Sequence, residues 1–210
     1  RLYDYISGYG FTMPGYPQRS LFSIPFAGLN NEGLPTFYDP DGNITVTGID
    51  MQEYDPERLK FLKYEGPADP TDVGSLGNIF RYKNLTLNLF ITYSFGNVVR
   101  LDPVFSSEYS DLSATPKEFN NRWIKPGDEK FTNIPVIASR QQLNNIAYLS
   151  RAYQSYNYST ARVAKGDFIR MKEISLAYEF PKTLTQPLHL SNLSLKLQAT
   201  NLFLLYADKK

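Results

Sequence analysis

The sequence predicts an all-β chain, a portion of an antiparallel transmembrane β-barrel with long extracellular loops. Three observations lead there. Several stretches alternate apolar and polar residues with a period of two, the mark of a two-faced strand. The links between these stretches are short on one side (83–84, 181–192) and very long on the other (30–72, 97–165), as in barrels with short periplasmic turns and long outer loops. Finally, the charges within the stretches fall where a lipid-facing surface tolerates them.

The plainest strand is 85–97, with Leu85, Leu87, Leu89, Ile91, Tyr93 and Phe95 on one side and Thr86, Asn88, Phe90, Thr92 and Ser94 on the other. A second, 167–180, sets Ile174, Leu176, Tyr178 and Phe180 against Glu173, Ser175, Ala177 and Glu179, and ends at Pro181, which cannot donate to a ladder. A third, 193–206, sets Leu193, Leu195, Leu197 and Ala199 against Ser194, Lys196, Gln198 and Thr200. Residues 73–82 make a fourth, joined to 85–97 by a tight turn at Lys83-Asn84, where Asn tolerates positive φ.

On a barrel the apolar sides meet lipid, which makes Leu85, Leu87, Leu89, Ile91, Ile174, Leu176, Tyr178, Leu193, Leu195 and Leu197 lipid-facing. Asn88, Thr92, Glu173, Lys196 and Gln198 then face the lumen. Arg170 and Lys172 fall on the apolar side, near the long-loop end, where long basic side chains can snorkel to headgroups.

The remainder reads as surface structure. Residues 1–72 are rich in Gly, Pro, Tyr and turn residues and predict loops and short hairpins with no sizeable core. A strand is expected at 19–29, irregular because of Pro25, and a hairpin joins 36–38 to 44–47 across Asp41-Gly42. Within the loop 98–166, Thr115, Pro116 and Glu118 suit a capped short helix through Trp123. Residues 141–158, rich in Asn, Gln, Ser and Tyr, predict another surface stretch.

Composition narrows the chemistry. The 210 residues hold 16 Tyr and 14 Phe but one Trp and no Cys, so no disulfide or thiolate site exists. A net charge of +1 argues against nucleic acid as a partner. No apolar run approaches the roughly 18 residues of a membrane helix. The chain opens at Arg1 without a leader and is expected to be processed or part of something longer.

Candidate sites are few. Asp39, Asp41 and Asn43 have the opening spacing of a calcium loop but lack its closing Glu, so a hairpin turn is preferred. His189 stands alone and suits a turn. Tyr148, Tyr153, Tyr156 and Tyr158, with Trp123, are candidate contacts for a substrate or a partner, set against plain loop packing. Glu173 and Glu179 share a face but lie about 20 Å apart on an extended strand, too far for joint acid–base work. With no nucleophile set or phosphate loop either, the chain predicts a non-enzyme with no cofactor.

The stretch G-D-F-I-R-M-K-E-I-S-L-A-Y-E-F-P-K followed by L-S-N-L-S-L-K-L-Q-A-T-N-L-F resembles the C-terminal barrel part of SusC/RagA-family TonB-dependent outer-membrane transporters. Residues 26–42 and 77–97 and the pieces N-R-W and T-N-I-P, in the same order, support that resemblance. It implies a 22-stranded plugged barrel in the outer membrane of a Gram-negative bacterium, importing oligosaccharides or peptides. It also implies a SusD-like surface lipoprotein, TonB acting through an N-terminal part, and the rest of the same barrel as partners. The plug, the first barrel half and the last strand are not in these residues. A soluble β-sandwich binding glycan through its tyrosines is the rival, distinguished by whether a second sheet covers the leucines.

Overall fold

The computed structural model describes residues 1–7, 13–105 and 116–208. In chain order the first elements are α1 (Leu2–Ile6), β1 (Ser20–Ser23), β2 (Phe26–Leu29), β3 (Pro35–Tyr38), β4 (Ile44–Thr45) and β5 (Lys63–Pro67). The long strands β6 (Asp72–Tyr82) and β7 (Leu85–Phe95) follow, then β8 (Val98–Arg100), α2 (Arg140–Asn145), α3 (Leu149–Asn157) and β9 (Val163–Lys165). The chain closes with β10 (Phe168–Glu179), α4 (Lys182–Thr185) and β11 (Ser194–Ala207). Two compact units result: 1–68 with 98–164, and 69–97 with 165–210.

The second unit is a four-stranded antiparallel sheet ordered β11-β10-β7-β6. Its strands form because Val, Ile, Leu, Thr and Tyr alternate along them and suit a pleated surface. The β6–β7 turn has Lys83 at φ 53°, so the left-handed position falls to Lys83 and not Asn84. The reason lies across the sheet. Asn84 donates its side-chain amide to the Glu179 carbonyl at 2.7 Å, and its own carbonyl accepts the Glu179 N–H at 2.9 Å. At the far end Gly74 lies under the ring of Tyr93, where a Cβ would stand 2.4 Å from the phenol oxygen.

One register feature corrects the alternation read from sequence. Met171 pairs with Ile91 and Glu173 with Phe90, so Lys172 is an extra, bulged residue. The bulge shifts the phase. Directly paired residues share a face, so Arg170, opposite Thr92, joins the polar side, and Ile169 and Met171 take the apolar side with Tyr93 and Ile91. Lys172 sits within the strand, its ammonium donating to Asn201 at 2.9 Å, and not at a snorkelling end.

The first unit corrects a second expectation. Residues 1–72 are not coreless: Leu2, Ile6, Phe22, Ile24, Leu34, Phe37, Ile49, Met51, Leu59 and Leu62 are buried around Leu149, Ala152, Tyr153 and Tyr156 of α3. Each short segment donates one or two apolar side chains, and the long loop supplies the helix they surround. Burying one such side chain contributes about 1.5–3 kcal/mol, so the cluster is what holds these turns together. Gly48, at φ 73°, lets the chain run against α3, where a Cβ would lie 2.5 Å from the Ala152 nitrogen. The neighbouring Ile49 N–H donates to Ser155 Oγ at 3.0 Å.

Residues 19–29 form two strands in different sheets, β1 pairing with β5 and β2 with β3. They part at Ile24-Pro25, where Ile24 instead bridges Ser159 and Pro25 has no N–H to give. The β3–β4 hairpin closes on Asp39, whose carboxylate accepts the N–H groups of Asp41 at 3.0 Å and Asn43 at 2.8 Å, a turn held by its own side chain. Thr115 lies outside the described residues. Pro116 precedes a single 3-10 turn, Lys117–Asn121, and Glu118 bonds Arg162 instead of closing a cap.

Candidate functional site

Two surfaces carry the functional question: the faces of the long sheet, and the loop unit around α3.

On the sheet, register sorts side chains into rows. One face holds Tyr82, Leu85, Tyr178 and Leu195, then Phe80, Leu87, Leu176 and Leu197, then Asn78, Leu89, Ile174 and Ala199. It continues with Leu76, Ile91, Met171 and Phe203, then Gly74, Tyr93, Ile169 and Tyr206, and ends where Asp72 pairs with Phe95. Asp72, in the last pair, is the only charge at a paired position of this face among the described residues. Tyrosines stand at both ends and aliphatic residues dominate the middle. From Leu85 to Tyr93 the span is about 27 Å along the strand, or roughly 21 Å with a 40° tilt, close to the ~25 Å apolar band of an outer-membrane barrel.

This face is open. Leu76, Phe80, Leu176, Tyr178, Leu195 and Leu197 are all exposed, Leu197 by 63 % and Leu195 by 55 %. Leu87, Leu89, Ile91 and Ile174 are half-buried by their neighbours, and Leu193 is exposed just before β11, its carbonyl accepting the Phe180 N–H. Among the described residues the strands at the two edges, β6 and β11, have one neighbour each.

The opposite face gathers Asn88, Thr92, Glu173, Lys196 and Gln198, together with Arg81, Arg170 and Ser175. Asn88 donates to Glu173 at 3.3 Å. All five residues expected on this side share it.

The aromatic set divides differently. Tyr153 and Tyr156, expected as contacts, are each only 1 % exposed and belong to the core. The Tyr153 hydroxyl donates to the Val136 carbonyl, and burial pushes the Tyr156 phenol up to about 12. Trp123 is buried as well, against Gly33 (φ 75°), where a Cβ would meet the indole at 2.4 Å. Its indole N–H donates to Glu129 at 3.0 Å and holds that carboxylate below the usual range. The physical reason is common to all three: a large ring in a small loop unit contributes most by filling its centre.

Tyr158 is half-buried, under the Arg100 guanidinium 5.4 Å from its ring centre and edge-on to Tyr3. Only Tyr148 of the set is broadly exposed, at 62 %, held at φ 60° with the Arg151 guanidinium 4.6 Å from its ring centre. It stands on the rim of a cleft of about 730 Å³ between α3 and the turn at 50–52, with Tyr3, Asp50, Gln52, Arg151 and Gln154 among its walls.

Two guanidiniums, that of half-buried Arg100 and that of buried Arg162, knit this unit. Arg100 donates to the carbonyls of Phe22 at 2.7 Å and Ile6 at 3.3 Å, and burial lowers its pKa to about 10. Arg162 pairs with Glu118 and donates to the Asp102 carbonyl at 2.6 Å. Among the described residues no group of His, Cys, Asp or Glu stands ready to hold a metal, and His189 occupies a left-handed turn position at φ 56°.

No family model matches the sequence. A TonB-dependent receptor, P39, of Formosa agariphila is 27 % identical over 135 residues, 62 % of this chain and 12 % of the receptor. The RagAB peptide importer in its open-open state superposes with a TM-score of 0.61 at 20 % identity, over 95 % of this chain and 21 % of that one. Its closed-closed state gives 0.59, over 94 % and 21 %. The fold is like that of the matching part of the RagAB importer.

The chain spans about a fifth of the importer's length and less of the receptor's. None of these relatives is named as an enzyme. No helix among the described residues is long and apolar enough to cross a membrane, which leaves strands untouched. Sequence reasoning missed α3 and its cleft. The signal was present: Leu149, Ala152, Tyr153 and Tyr156 recur at helical spacing, and Ser139 with Gln142 makes a capping box for α2.

Proposed function

We propose that the chain is the C-terminal barrel portion of a SusC/RagA-like TonB-dependent transporter, importing oligosaccharides or peptides across the outer membrane of a Gram-negative bacterium. The observation that carries this reading is the exposed face of the long sheet, uncharged in the five rows from Tyr82–Leu85 to Gly74–Tyr93, with tyrosines in the first and last of them and Asp72 only in the pair beyond. In water such a face would be a liability; in a bilayer it is the surface a barrel presents. Leu85, Leu87, Leu89, Ile91, Ile174, Leu176, Tyr178, Leu193, Leu195 and Leu197 face lipid in this reading, and Asn88, Thr92, Glu173, Lys196 and Gln198 face the lumen.

The two edge strands require partners, since an open ladder is not tolerated in hydrocarbon. The rest of one plugged 22-stranded barrel supplies them. TonB acts through the N-terminal part, and a SusD-like lipoprotein covers the outer loops; the RagAB importer named among the neighbours supports a two-component arrangement. The sandwich alternative requires a facing sheet over leucines that are exposed here. Fractionation of cells producing the full-length protein tests the assignment. Release from membranes by detergent but not by high salt or carbonate is expected, and a soluble monomer would overturn it.

A further inference from the structure

The link between β10 and β11 is built inside out. It belongs to the same compact unit as the long strands and lies on the short-turn side of their sheet. After Pro181, α4 runs on into a single 3-10 turn, Gln186–Leu188. His189, at φ 56°, ends the run, and the Leu190 N–H returns to the Thr185 carbonyl at 3.1 Å, the closure of a helix C-terminal motif. Within this closed turn Thr185 is buried, 1 % exposed, whereas Leu184, Leu188 and Leu190 are all exposed, Leu188 by 64 %. The hydroxyl residue is inside and the leucines are outside.

Water does not explain that arrangement, since leucines grouped on so short a turn make the kind of apolar patch that soluble surfaces keep small. Two observations favour lipid over protein as their cover. The first is continuity. Phe180 and Leu193 carry the alternation of β10 and β11 one step past Tyr178 and Leu195, and the Phe180 N–H donates to the Leu193 carbonyl at 2.9 Å. The leucine turn therefore adjoins the end of the apolar face marked by Tyr82 and Tyr178. The second is charge. Residues 181–193 include Lys182 and His189 but no Asp or Glu, so nothing in the turn repels a lipid phosphate. Glu179, just before it, pairs with Ser194 on the opposite face. Leucines beside a lysine are the composition of a segment lying in the headgroup boundary.

We propose that the 181–193 turn is an interfacial anchor for a phospholipid surface. Leu184, Leu188 and Leu190 enter the boundary between headgroups and acyl chains at the short-turn end of the sheet, and Lys182 meets lipid phosphate. This anchor rests on the transporter reading and adds to it a lipid contact outside the strands. Its consequence is depth: aromatic rows alone mark a belt, and leucines beyond the Tyr82–Tyr178 row oppose any slide of the sheet along the bilayer normal.

The test uses the full-length protein, with any other cysteines removed, reconstituted in vesicles of phosphatidylcholine and phosphatidylglycerol. A fluorophore is attached in turn to Leu184→Cys, Leu188→Cys and, on the strand face, Leu176→Cys. The phosphatidylcholine chains carry bromine either near the headgroup or near the chain end, and iodide is supplied on both sides of the bilayer. At 184 and 188, quenching by lipid brominated near the headgroup is expected to exceed that by the chain-end lipid about twofold, with little effect of iodide. Iodide quenching at both turn positions overturns the proposal, because the leucines then lie in water. Quenching by neither agent overturns it as well, because protein then covers them. Two turn positions keep the result readable should one variant fold poorly. Position 176 separates the anchor from the reading beneath it. Bromine quenching there with none at 184 and 188 rejects the anchor alone, and none at any of the three rejects the lipid-facing sheet itself.

Discussion

On the proposed lipid-facing sheet, arginine placed at Ile174 should destabilise the protein by roughly 2–4 kcal/mol, the cost of that side chain near a bilayer midplane. Ile174 lies in the central row of the apolar face, paired with Leu89 on one side and Ala199 on the other. It is too far from either tyrosine row for a guanidinium to reach headgroups without distortion. Gln198→Arg is the control, one residue from that row but on the opposite face, where Lys196 and Arg170 already stand. In urea titrations of the full-length protein refolded into liposomes, Ile174→Arg is expected to lower the midpoint markedly and Gln198→Arg to leave it nearly unchanged. Equal effects from both would mean that the two faces do not differ in solvent.

Glu118→Ala should destabilise the loop unit by about 3 kcal/mol. Arg162 is 2 % exposed and its guanidinium joins Glu118, the Asp102 carbonyl and the neighbourhood of Tyr156. Removing the carboxylate leaves a buried cation with one main-chain acceptor. The Glu118 side chain is 43 % exposed, which places the expectation at the low end of the range for breaking buried pairs. Glu118→Gln keeps an acceptor and should cost less. The contrast is Glu53→Ala: its partner Arg58 is 45 % exposed, and surface pairs contribute up to about 1 kcal/mol. Hydrogen exchange of the α3 amides reads the difference, with protection falling about a hundredfold in Glu118→Ala. No change there would show that the ion pair does not hold α3 in place.

The long strands were legible because each position answers to a single demand. Along β7 every second residue meets one environment, and the sequence from Leu85 to Phe95 records it without interruption. In β10 the same logic failed at one residue. A bulge adds no distinctive composition, and Lys172 reads as an ordinary strand position until its pairing is known. The trace was a slip of phase, with Ile169 and Met171 followed by Ile174 instead of an apolar residue at 173.

The loop unit was far less legible. Its core joins Leu2, Phe22, Phe37 and Met51 to residues of α3 roughly 100 to 150 positions away, and no short window contains such contacts. Polar composition also disguised α3, since Ser150, Arg151, Gln154 and Asn157 clothe its outer face while Tyr153 and Tyr156 turn inward. Tyrosine was the misleading residue. Its hydroxyl suggests a surface contact, yet its ring is large enough to be most useful in a core. The cleft follows from that error: the one exposed tyrosine of α3's cap, Tyr148, marks it, while its buried sisters support it.

Because the chain contains no cysteine, single cysteines can report solvent along β7 and β10 in the full-length protein reconstituted in vesicles, given a background with any other cysteines removed. An environment-sensitive fluorophore attached at Leu87, Leu89, Ile174 or Leu176 should be quenched by brominated lipid and ignore aqueous iodide. One attached at Asn88 or Ser175 should be unaffected by brominated lipid. That alternation, residue by residue, is the predicted result; quenching by iodide at the leucine positions, or no difference between neighbours, would contradict a lipid-wetted sheet.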